Sequence, residues 1–230
     1  MKTKLLVLLA LAAMVVGMSV GAGATNIAPT LVLYDAGTGN SIVITDGAAG
    51  DSCAVSGCVT FSGSLGNFIV NVDTGQVAPP LATGNQDLSF VATNISGVTD
   101  TLYIWLSGQG YGAGVNINAI GTIGGTQGGT GNSVRWAAGI DTSNSACSAS
   151  GCPVTSTLWD HTLTGNPFSS KQSVIFSSGP YSLDQAAILH LTSGNVTTGD
   201  FHLNVPEPAS LTLLGAGFLG LLGLRRRKNG

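Results

Sequence analysis

Apolar and polar positions alternate over short runs, and each run is closed by a cluster of Gly, Asn, Asp, Ser or Thr. The alternation is plainest in Leu88-Ser89-Phe90-Val91 and in Leu102-Tyr103-Ile104-Trp105-Leu106. Successive side chains of an extended chain point to opposite faces, so a period of two marks a strand with one buried face. Runs rich in branched and aromatic residues predict strands at Leu31 to Asp35, Ser41 to Thr45, Gly57 to Phe61, Asn67 to Asp73, Asp87 to Thr93 and Thr101 to Ser107. Six more follow at Val115 to Ile120, Ser133 to Ile140, Val154 to Thr164, Gln172 to Ser177, Ala186 to Thr192 and Asp200 to Val205. Ser182 to Gln185 leaves room for a short helix. Twelve short strands with regular turns predict an all-β fold, a two-sheet antiparallel β-sandwich, jelly-roll-like, rather than a barrel. The 34 glycines point the same way, since each costs a helix about 1 kcal/mol relative to alanine. Ten of them crowd residues 108 to 132, which predicts a mobile loop or a weakly formed edge strand there.

The two ends break this pattern. Lys2 and Lys4 precede an apolar stretch from Leu5 to Val16, and small residues then lead to Ala22-Gly23-Ala24. This order is that of a secretory signal peptide over residues 1–24 with cleavage after Ala24, and it implies entry into the Sec export machinery. At the other end, Val205-Pro206-Glu207-Pro208 is followed by an uncharged run from Ala209 to Leu224 and then by Arg225, Arg226, Arg227 and Lys228. As a helix the 16-residue run extends about 24 Å, short of the roughly 30 Å hydrocarbon core but able to span if the arginines snorkel. Lysine and arginine stay on the cytoplasmic side, so residues before Pro206 are expected outside. The chain therefore divides into a signal peptide (1–24), an exported domain (25–204) and a C-terminal signal (205–230).

The C-terminal order of motif, transmembrane helix and basic end resembles the PEP-CTERM sorting signal of Gram-negative bacteria. The resemblance implies that exosortase, a membrane protease, recognises and removes it, with Val205 to Pro208 as the sorting motif and Arg225 to Lys228 as the topology anchor. The last strands agree: Gly179-Pro180-Tyr181-Ser182-Leu183, Leu189-His190-Leu191 and Phe201-His202-Leu203-Asn204-Val205 look like those common in exported proteins of this group. So do the early GNSIVITD and FIVNVDTGQV stretches. What the resemblance implies is a surface or matrix protein, transiently anchored in the inner membrane and then released to the cell surface or the exopolysaccharide of a biofilm matrix. The bland alternatives are a hydrophobic C-terminal strand and an ordinary single-span anchor.

Charge sharpens the picture once the ends are set aside. Only Arg135 and Lys171 remain in the exported domain, against ten aspartates, a net charge of −8. A surface of that sign repels nucleic acid and anionic lipid and leaves cations or neutral glycans as partners. The cysteines form two similar hexapeptides, Cys53 to Cys58 and Cys147 to Cys152. In an oxidising exterior they are expected to close as two local disulfides, each contributing on the order of 2 kcal/mol. Three connectivities are open, and a four-thiolate zinc site is the sharper alternative. The repeat of the hexapeptide hints at an internal duplication.

Chemistry is sparse. There is no G-x-S-x-G elbow, H-E-x-x-H pair or Walker loop. Asp160 and His161 are neighbours on a strand and point to opposite faces, which is wrong for a relay. His190 and His202 could join Asp200 around a metal if their strands pair, but half-buried strand residues are the simpler reading. Asp46 and Asp51 bracket a flexible turn where calcium is conceivable and a plain turn is preferred. No cofactor, metal or catalytic residue is assigned, and a hydrolase would need two converging carboxylates that nothing marks. Trp105, Trp136 and Trp159 with Tyr103 and Tyr111 offer a stacking platform for sugar rings, which makes a carbohydrate-binding module the alternative function. In the structural reading Trp105 belongs to the core, with Trp136 and Trp159 in more polar surroundings.

Overall fold

The computed structural model describes residues 28–77, 84–112 and 114–205. Twelve strands follow one another: β1 (Thr30–Asp35), β2 (Ser41–Thr45), β3 (Cys58–Leu65), β4 (Phe68–Val77), β5 (Gly84–Asn94) and β6 (Asp100–Tyr111). Then come β7 (Gly114–Gln127), β8 (Ser133–Asp141), β9 (Ser156–Leu163), β10 (Phe168–Ser178), β11 (Tyr181–Leu191) and β12 (Val196–Val205). Each predicted strand has its counterpart, and Ser182 to Gln185 is strand rather than helix. They form two six-stranded antiparallel sheets, β2-β1-β6-β11-β8-β9 and β10-β7-β12-β5-β4-β3.

Strands β5 to β12 pair as a nested set. β8 pairs with β9, β7 with β10, β6 with β11 and β5 with β12, so the chain folds as one long hairpin wound across both sheets. That is the strand order of a jelly roll, and β1 to β4 widen each sheet on one side. Alternation then decides what meets in the middle. From one sheet Leu31, Leu33, Leu102, Ile104, Leu106, Trp136 and Leu189 face inward; from the other Phe68, Val70, Leu88, Phe90, Phe201 and Leu203. Buried amides tie the layers together: Gln86 Nε2 donates to the Leu183 carbonyl at 2.6 Å and Asn94 Nδ2 to the Leu191 carbonyl at 2.8 Å. Such bonds satisfy polar groups that would otherwise destabilise the interior.

The glycine-rich segment is the main departure from expectation. β7 is neither loop nor edge; it lies between β10 and β12, fully paired. Its glycines make room for aromatic rings. A Cβ on Gly121 would come within 2.2 Å of the Trp159 ring, and one on Gly125 within 2.0 Å of the Thr198 carbonyl oxygen and 2.6 Å of the Phe168 ring. The tryptophans also exchange the places expected of them. Trp136 is 0 % exposed and packs edge-on against Phe201 at 4.9 Å and Trp159 at 5.5 Å, whereas Trp105 is half-buried on the outside of its sheet. The two hexapeptides occupy different connections: one precedes β3 where the chain changes sheet, the other joins β8 to β9 within a sheet. The repeat is local and does not mark a duplicated fold.

Candidate functional site: an aromatic outer face

The outer face of the β2-β1-β6-β11-β8-β9 sheet carries the most developed surface feature among the described residues. Register builds it. Tyr34 of β1 stands opposite Tyr103 of β6, Tyr103 opposite Ile188 of β11, and Ile188 opposite Arg135 of β8. One rung along, Val32, Trp105, Ala186, Ala137 and Asp160 are aligned. Three aromatic rings thus share a face: Tyr34 and Tyr103 are 5.8 Å apart, Tyr103 and Trp105 5.1 Å, and Tyr34 lies nearly parallel to Trp105 at 6.5 Å. The small side chains of Ala186 and Ala137 leave a trough beside Trp105, an open cleft of about 160 Å³. Arg135 borders it and is held by a two-pronged ion pair, Nε to Asp160 Oδ1 at 2.8 Å and Nη2 to Asp160 Oδ2 at 2.5 Å.

The Cys147–Cys152 disulfide loop roofs one end of this cleft. A Cβ on Gly151 would stand 3.9 Å from the Trp105 ring, so the loop passes beside the indole with space for one methyl group between them. Beneath it Asp184 is 2 % exposed, 3.6 Å from Cys147 Sγ and with Ser182 Oγ donating at 3.2 Å. Burial pushes its carboxyl up to about 7, although the Ser107 and Ser182 hydroxyls hold it back. The other disulfide joins Cys53 to Cys58, and the described cysteines contain no free thiol.

The remaining aspartates of the sequence reading serve the backbone. Asp51 accepts N–H from Gly47, Cys53 and Thr60, and these bonds hold its carboxyl below the usual range despite the desolvation that opposes them. Asp46 accepts the Gly57 N–H at 2.7 Å. That is a turn whose two carboxylates are engaged by backbone N–H groups. His190 and His202 do not meet, because β11 and β12 belong to different sheets. His190 instead bonds Thr101 at 3.1 Å, while His202 lies between Asp87 and Asp200. Of the suggested sugar platform, Tyr111, Trp136 and Trp159 are interior, and Trp105 and Tyr103 remain. Tyr34 and Asp87 were missed. Parity alone could have placed Tyr34, since Leu31 and Leu33 face inward; Asp87 needed the β5 to β12 pairing.

Val205, the first residue of the motif, is the last residue of β12, buried and paired opposite Gly84. Ala22, Ala24, Pro206, Glu207, Pro208, the Ala209 to Leu224 run and Arg225 to Lys228 lie outside the described residues. Among the described residues no helix is long and apolar enough to cross a membrane. Residues 204–228 match the family description of the PEP-CTERM protein-sorting motif. The chain carries a PEP-CTERM sorting signal. It is therefore an exported protein of a Gram-negative bacterium, and the sorting signal starts inside the final strand of its fold. No curated protein matches the chain. Among solved structures, it is similar to a CBM61 module in complex with β-1,4-galactotriose, at 8 % identity over 61 % of this chain and 90 % of that one, TM-score 0.33. It is similar to the CBM22-1 xylan-binding domain of Paenibacillus barcinonensis Xyn10C, at 10 % identity over 69 % and 92 %, TM-score 0.34. The K1 adhesin domain of Lys-gingipain from Porphyromonas gingivalis W83 matches at 13 % identity over 66 % and 98 %, TM-score 0.33. Likeness of this size transfers no ligand.

Proposed function

We propose that this is a non-catalytic surface or matrix protein that enters the Sec pathway, is held briefly in the inner membrane by residues 209–224, is released by exosortase and engages extracellular polysaccharide. The observation that carries the binding step is the Tyr34, Tyr103 and Trp105 face beside an open cleft. Aromatic faces stack on the apolar C–H faces of sugar rings, and half-buried rings fixed on strands lose little freedom when they do so. The net charge of −8 in the exported domain favours a neutral glycan over a polyanion. The carboxylates of Asp46, Asp51 and Asp141 are taken up by backbone N–H groups and that of Asp160 by Arg135, which leaves these four engaged in structure.

Tryptophan fluorescence tests the reading, because Trp136 and Trp159 are sealed in the core and Trp105 alone of the three borders the cleft. Adding exopolysaccharide purified from the host should shift or quench the emission saturably, and Trp105→Phe should remove the response. An unchanged spectrum, or a response that survives Trp105→Phe together with Tyr103→Ala, overturns it.

A further inference from the structure

The opposite outer face, on the sheet containing β5 and β12, holds a separate cluster. Asp87 and His202 are register partners across β5 and β12, and Asp200 lies two residues before His202 on the same face. His202 Nε2 is 3.0 Å from Asp200 Oδ2 in a hydrogen bond. His202 Nδ1 is 3.2 Å from Asp87 Oδ1, yet that oxygen is buried and has no hydrogen-bond partner. The contact therefore has the distance of a bond and not its alignment. In the neutral tautomer that donates Nε2–H to Asp200, Nδ1 carries the lone pair and is open to ligation beside Asp87 Oδ1.

We propose that Asp87, His202 and Asp200 form a divalent transition-metal site, with Asp87 Oδ1 and His202 Nδ1 as ligands and Asp200 as the carboxylate that orients the imidazole. The geometry supports it. Two ligand atoms each about 2.1 Å from a tetrahedral zinc stand roughly 3.4 Å apart, close to the separation observed. A metal-bound imidazole ordinarily gives its other N–H to a carboxylate, which is the position of Asp200. One atom from each of the three residues lies within 4.8 Å of the others, and solvent can complete the shell around the two ligands because His202 is about half exposed. Along the same rung the next cation, Lys171, stands two strands beyond His202, on the order of 10 Å away. The site lies on the other sheet from the aromatic face and stands or falls independently of it.

Calorimetric titration of the purified, tag-free full chain with Zn²⁺, disulfides intact, tests the proposal. One saturable equivalent is expected, accompanied by a rise in melting temperature. Asp87→Asn and His202→Gln should abolish both responses, while Asp200→Asn should weaken binding by roughly ten- to a hundredfold. His190→Ala should change neither. Absence of a saturable equivalent overturns the site, as does binding that persists at full strength in His202→Gln. Equal binding of Ca²⁺ by wild type and His202→Gln would also overturn it, by showing a bare carboxylate effect.

Discussion

Trp136 touches no solvent and Trp105 keeps an open edge, although both sit in strands with similar composition. Flanking residues misled the sequence reading: Arg135 and Ala137 beside Trp136, and Asp160 beside Trp159, are polar or small because they point the other way. In a strand the neighbours at i±1 report the opposite face, so local polarity inverts the inference. Trp136→Ala should accordingly destabilise the fold by about 3–5 kcal/mol, and Trp105→Ala by clearly less, as read from urea unfolding. Asp184 supplies a pH signature. Its folded-state value of about 7 lies above the ordinary carboxylate value, so the native state binds the extra proton and stability falls as pH rises between about 4 and 7. Asp184→Asn should flatten that part of the melting temperature against pH profile and make the protein more stable than wild type at pH 8. A profile unchanged by the substitution would remove Asp184 as its source.

Strands were legible one by one, because each carries its own alternation and its own turn residues. β7 was not. Its glycines look like a loop until the rings that fill the space above Gly121 and Gly125 are known, and those rings come from residues distant in the chain. Gly121→Val should therefore cost on the order of 1–3 kcal/mol or more through overpacking against Trp159, whereas the same change at the surface-turn Gly97 should cost little. Denaturant midpoints distinguish the two. The Cys147–Cys152 loop offers a parallel test at the aromatic face. Replacing both cysteines by alanine should lower stability by about 2 kcal/mol and make Trp105 more accessible to acrylamide quenching. Quenching identical to wild type would show that the loop does not shield the indole.

At the scale of the molecule, the sandwich exposes two chemically different outer faces, aromatic on one sheet and Asp87, His202 and Asp200 on the other. Each constellation was half legible beforehand: Tyr103 with Trp105 and Asp200 with His202 are local pairs, whereas Tyr34 and Asp87 join them only through strand pairing. Tyr34 and Tyr103 are 69 positions apart and Asp87 and His202 115 apart, and only the nested pairing of β5 to β12, with β1 added beside β6, brings each set together. The sorting signal was legible because it is local: a short motif, an apolar run and a basic end in fixed order. It begins within β12, so the last residue of the described fold, Val205, is followed directly in the sequence by Pro206 of the motif. Cleavage near Glu207 would remove all four tail cations and leave a distinctly acidic product. Intact mass of the protein secreted by an exosortase-bearing host is the most direct test. The expected mass corresponds to a chain that starts near Thr25 and ends within or just before the Pro206 to Pro208 motif; a secreted species still ending in Arg225 to Gly230 would contradict the account.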